Sequence, residues 1–81
     1  MDYLSEMALF VEVANAMSFS KAAAKLAMLQ STLSRRISAL EQALGVPLLH
    51  RTTRKIELTE SGHRYLQRAV PLVEEARLIH A

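Results

Sequence analysis

Gln30, Ser31, Thr32, Ser34 and Arg35 place an amide, three hydroxyls and a guanidinium within six consecutive positions. No base or acid stands beside them to activate a nucleophile, so the chemistry they suit is recognition by hydrogen bonding. An amide can bridge adenine N6 and N7. A guanidinium can fork onto guanine O6 and N7, and a hydroxyl can serve a base edge or a phosphate. Further hydroxyls and cations flank this set: Ser20, Lys21 and Lys25 before it, and Arg36, Arg51, Thr52, Arg54 and Lys55 after it. Those side chains suit phosphate oxygens.

Other chemistries lack their parts. The chain has no cysteine, and its three histidines, His50, His63 and His80, are widely spaced, so no metal-ligand pattern forms. His50 beside the basic stretch reads as a surface residue. The two glycines, Gly45 and Gly62, make no phosphate-cradling loop. Glu74 and Glu75 are adjacent on a helical stretch and read as a solvated pair. No enzyme, metal or cofactor is expected. No apolar run reaches the ~18 residues of a membrane span, and the Met-Asp-Tyr start does not resemble a signal peptide. A reducing, cytoplasmic setting fits the absence of cysteine.

The net charge of +2 conceals an uneven distribution. Residues 1–19 hold Asp2, Glu6 and Glu12 and no cation. Residues 20–55 hold Lys21, Lys25, Arg35, Arg36, Arg51, Arg54 and Lys55 against Glu41 alone, a net +6. Residues 56–81 return to a slight acidic excess. A polyanion facing the middle of the chain is one reading of this concentration, and a solvated basic surface is the other.

The elements that must position these groups follow from spacing. Asp2 is placed to cap a first helix carrying Leu4, Met7, Ala8, Val11 and Ala14 at helical intervals, with Phe10 beside them, to about Asn15–Met17. Ser20 is expected to cap a second helix with Ala22, Ala23 and Leu26 inward, and Phe19 as a hydrophobic staple. Leu33, Ile37, Leu40 and Leu44 mark a third helix over about 30–44. At about 100° per residue, Arg35 lies nearly opposite that stripe, with Ser31, Ser38 and Gln42 on the same outer face. Arg36 falls nearer the core edge. Gly45 ends this helix and Pro47 stops its resumption.

Residues 48–58 change period. Ile56-Glu57-Leu58 alternates as a strand does, and a two-stranded wing with a basic tip over about 50–56 is expected. Thr59 caps a fourth helix with Glu60 in its first turn. Leu66, Ala69, Val73 and Ala76 recur along it, and Tyr65, Leu72 and Ile79 repeat every seven residues. The pattern predicts pairing with a partner helix. The alternative is an amphipathic helix folded onto the first. Pro71 inside it is expected to bend the helix or split it near Gln67–Val70.

These residues resemble the N-terminal domain of LysR-type transcriptional regulators. The resemblance is carried by Phe10-Val11-x-Val13-Ala14, by Ser18-Phe19-Ser20-x-Ala22-Ala23-x-x-Leu26 and by Gln30-x-x-x-Ser34-Arg35-x-Ile37-x-x-Leu40-Glu41-x-x-Leu44-Gly45. Pro47-Leu48-x-x-Arg51 and Leu58-Thr59-x-x-Gly62 complete it, in register over about residues 3–66. It implies a mainly α fold: a winged helix-turn-helix with a three-helix core and a two-stranded wing in residues 1–58, then a dimerisation linker helix in 59–81. The linker reads as truncated, and the family's C-terminal effector domain, with its inducer site, is absent from these residues.

The function implied is sequence-specific binding of double-stranded promoter DNA by a bacterial, cytoplasmic regulator. Family members read an interrupted inverted repeat as homodimers and usually assemble as tetramers. Gln30, Ser31, Ser34 and Arg35 are carried over as recognition residues and Arg54 as a wing residue, while Arg51 is a family-motif residue that can pair with Glu41. A winged-helix protein-interaction module without DNA binding is the competing expectation. The chain departs from the family at Leu29-Gln30-Ser31-Thr32, where Ser-Gln-Pro-Ala is usual, and at Arg36, where Gln is commoner. Leu29 has no side-chain oxygen to cap with, so Ser31 or Thr32 would cap a helix that starts later.

Overall fold

Helix ends in this chain are set by capping chemistry. In the computed structural model, which describes residues 1–53 and 55–80, the Asp2 carboxylate accepts the backbone N–H of Leu4 and Ser5 and starts α1, Tyr3–Ala16. Met17 closes α1 in the left-handed conformation at φ 49°. The second cap differs from expectation. Ser18, not Ser20, accepts the Lys21 N–H, at 3.2 Å, and α2 spans Phe19–Leu26. Ser20 instead lies within the first turn, its hydroxyl 3.1 Å from that of Ser18. Phe19 is therefore a helical core residue rather than a staple ahead of the cap.

Ala27, at φ 54°, turns the chain out of α2, and α3 begins three residues on, spanning Gln30–Leu44. Leu29 occupies its N-cap without a side-chain bond, and neither Ser31 nor Thr32 delays the start. Gly45, at φ 77°, ends α3 and sends its N–H to the carbonyls of Gln42 and Glu41. The Glu41 carboxylate then accepts the N–H groups of Leu48 (2.7 Å) and Leu49 (3.1 Å), fixing where the chain enters β1, Leu49–Arg51. β1 pairs antiparallel with β2, Ile56–Leu58, in the register Leu49 with Leu58, His50 with Glu57 and Arg51 with Ile56. Thr59 caps α4, Glu60–Ile79, by accepting the Gly62 N–H and donating to the Pro47 carbonyl.

The principal core lies among α1, α2, α3 and the wing. Phe10, Val13, Leu33, Ile37, Leu40 and Leu48 are its most deeply buried large side chains, each worth about 2 kcal/mol of burial. Leu44, placed in the same stripe by spacing, is instead 36% exposed at the end of α3. A second cluster joins α1 to α4 through Val11, Ala69 and Val73. Phe10 and Tyr65 meet edge-to-face at 5.5 Å, and burial raises the Tyr65 phenol above its ordinary pKa.

This second cluster corrects the expectation for α4. Ala69 and Val73, 1% and 3% exposed, pack on α1 of their own chain, with Tyr65 and Leu66 half-buried beside them. Ala69 and Val73 are core residues in this chain, Tyr65 and Leu66 keep part of their surface, and Leu72, Leu78 and Ile79 remain exposed. Pro71 does not split α4, which runs as one helix through it. Pro71 is exposed, so water can solvate the carbonyl that loses its donor. Among the described residues no helix is long and apolar enough to cross a membrane.

Candidate nucleic-acid interface

Burying Leu33, Ile37 and Leu40 orients everything else on α3. Gln30, Ser31 and Arg35 are exposed along its outer side, and Thr32 and Ser34 are half-buried at its flanks. Ser38 and Gln42 extend the exposed polar face toward the C-terminus. A helix about 10–12 Å across fits the B-DNA major groove, and side chains at its N-terminal end reach base edges.

The start of α2, the start of α3 and the wing enclose a polar groove of about 300 Å³. Ser20, Gln30, Thr52, Thr53 and Lys55 line it, with Phe19 and Ile56 beneath. The wing tip is closed locally. Thr52 N–H and hydroxyl both donate to the Lys55 carbonyl, at 2.9 and 3.0 Å, and the Thr52 hydroxyl accepts the Lys55 N–H at 3.1 Å. Lys55 pairs with Glu57 at 2.9 Å. That pairing raises the Lys55 pKa and lowers that of Glu57. Arg54 lies outside the described residues.

Besides Lys55, three more cations expected at phosphates, Arg36, Lys25 and Arg51, have partners within the chain. Arg36 reaches across to α1, where its Nε donates to the Glu6 carboxylate at 3.2 and 3.3 Å and its Nη2 bonds the same group. That hydrogen bonding raises the Arg36 pKa, and Glu6 is only 6% exposed. Arg36 thus ties α3 to α1 while its side chain stays 42% exposed. Lys25 pairs with Glu12 at 3.0 Å, and Arg77 approaches the other oxygen of Glu12 at 3.4 Å. Lys25 remains largely exposed and can turn outward, as can Lys21.

Arg51 is held most firmly. Its Nη1 donates to Ser34 Oγ at 2.6 Å, and its Nη2 to the Ser34 carbonyl at 3.4 Å and Ser38 Oγ at 3.3 Å. The guanidinium lies 4.4 Å from the centroid of Phe19 and 3.9 Å from Glu41. The Glu41 pairing expected from sequence is present, but the shorter bonds go to α3. Sequence reasoning missed the buried acids Glu6 and Glu12. The one available sign was Glu12 standing between Val11 and Val13, in a stretch too apolar for a solvated face.

Two helices joined by a tight turn, a third helix bracing them and a wing beside the exposed one define a winged helix-turn-helix domain. Residues 4–63 match the family described as bacterial regulatory helix-turn-helix protein, lysR family. The chain belongs to that family. It is 49% identical over 70 residues, 86% of its length, to the HTH-type transcriptional regulator CrgA of Neisseria meningitidis, of which it spans 23%. A crystal structure of a BenM_DBD/catB site 1 DNA complex superposes with a TM-score of 0.88 and 39% identity, covering 94% of this chain and 85% of that one. The full-length Vibrio cholerae virulence activator AphB, a member of the LTTR protein family, gives a TM-score of 0.90 at 35% identity, over 95% of this chain and 27% of that one.

Proposed function

We propose that this chain reads promoter DNA for a bacterial LysR-type transcriptional regulator, binding double-stranded DNA with sequence preference. The observation that carries the reading is the exposed polar N-terminal end of α3, standing beside the groove lined by Ser20, Thr52 and Lys55. In this reading α3 enters the major groove. Gln30, Ser31 and Arg35 face base edges, with Thr32 and Ser34 at the margin. The wing over 50–56 lies on the adjacent minor groove or backbone, and Lys21 and Lys25 meet phosphates. Similarity to a domain solved in a DNA complex supports this reading over a protein-interaction module.

The domain division is residues 1–58 for reading and 59–81 for a linker helix that pairs two copies through Leu72, Ile79 and the flanking half-buried Ala76. Two copies would read an interrupted inverted repeat, and the whole regulator, carrying an effector domain, would form a tetramer in the cytoplasm. The test is binding to random and to pool-selected duplexes as salt rises. Binding that weakens linearly on a log–log plot, with the selected duplex held more tightly, supports the reading. Absence of binding at low salt overturns it.

A further inference from the structure

The bonds made by Arg51 bear on what Ser34 can read. A serine hydroxyl has one donor and two acceptor lone pairs, and unrestrained it serves donor or acceptor alike. Here a guanidinium donates to Ser34 Oγ at 2.6 Å while also holding the Ser34 carbonyl, Ser38 Oγ and the face of Phe19. Among the described residues no acceptor takes the Ser34 proton. We infer that Arg51 is a positioning residue that makes Ser34 a one-way donor, so that Ser34 selects an acceptor on a base edge. The acceptors available in the major groove are purine N7, guanine O6 and thymine O4. The amino groups of cytosine and adenine are disfavoured, because a second donor would approach an oxygen already bonded to a cation. Arg51 thereby contributes to base preference without touching DNA. The inference rests on the DNA reading above.

The experiment selects duplexes from a random pool with the unaltered chain. It then measures affinity for selected and random duplexes with Ser34→Ala, Arg51→Met and the double variant. Each single change should weaken the selected duplex about tenfold, as loss of one directed hydrogen bond does, and leave the random duplex within about twofold. The double variant should match the weaker single one, since both remove the same contact. Reselection should show preference lost at the same base position in both single variants and kept in Ser34→Thr. Equal weakening of both duplexes by Arg51→Met, with a shallower salt dependence, makes Arg51 a phosphate contact and overturns the inference. Losses that multiply in the double variant also overturn it. Equal weakening of both duplexes by Ser34→Ala places the acceptor on the backbone and overturns the base-edge assignment. Unchanged preference in Ser34→Ala overturns it too, and this arm decides even if Arg51→Met does not fold. Failure of the unaltered chain to bind any duplex is seen before variants are compared and overturns the DNA reading with it.

Discussion

Arg35 and Arg36 are neighbours in sequence with opposite fates. One residue is about 100° of helix rotation, which leaves Arg35 exposed on the outer face and swings Arg36 onto Glu6 of α1. Arg35→Ala should relax base preference and cost about 1–3 kcal/mol on a selected duplex, as loss of a bidentate guanine contact does. Comparing cognate with random duplexes checks it, and equal loss on both would make Arg35 a phosphate contact. The outward position of Arg35 was legible from the Leu33, Ile37, Leu40 stripe alone. The partners of Arg36 and Arg51 were not. Glu6 lies 30 positions before Arg36, and Ser34 lies 17 before Arg51. Helical periodicity reports which side of a helix is buried, not which residue of another element is packed there.

At the level of elements, ends set by local chemistry were readable: Asp2 and Thr59 as caps, Gly45 as a stop. The α2 cap shifted from Ser20 to Ser18 because both are serines two positions apart, and burial of Phe19 in the core favours the earlier start. Leu29 is the one N-cap without a side-chain bond among the four described helices, and its side chain is 74% exposed. Leu29→Ser should therefore raise stability by about 1 kcal/mol, visible as a higher midpoint in thermal unfolding. Gly62 is constrained for another reason. A Cβ there would lie 2.0 Å from the Leu48 carbonyl oxygen, a backbone atom that cannot step aside. Gly62→Ala should destabilise the domain by about 3 kcal/mol, measured by denaturant unfolding, by prising α4 from the wing.

For the whole molecule, α4 presents two different faces along one length of helix. Its buried side closes the domain against α1, and its exposed C-terminal apolar residues are those available to a second copy. Val73→Asp should unfold the domain, because it buries an unpaired charge. Leu72→Asp should leave the melting transition in place while lowering the sedimentation mass toward the monomer. An unaltered mass in Leu72→Asp would place pairing elsewhere. The heptad in this stretch could not separate these roles, since a helix folded onto its own domain and one paired with a neighbour repeat apolar residues at similar intervals.

The three-way contact at Glu12 has a consequence for ionic strength. Each protein cation that settles on a phosphate displaces condensed counterions from the duplex, giving a log–log salt slope of about −0.9 per contact. A cation that abandons a carboxylate to do so leaves an anion that recaptures salt, and its net release is small. Lys55 would leave Glu57 in that state, and Arg36 would strand the buried Glu6. Lys25 is different, because Arg77 remains on the second oxygen of Glu12 after it departs. Lys25 should therefore count in full toward the slope. Arg77→Ala, distant from the reading face in sequence, should make the slope shallower by up to about 0.9. The C-terminal end of α4 thus supplies an internal counterion to Glu12 of α1, and ion release at the duplex registers whether it is in place.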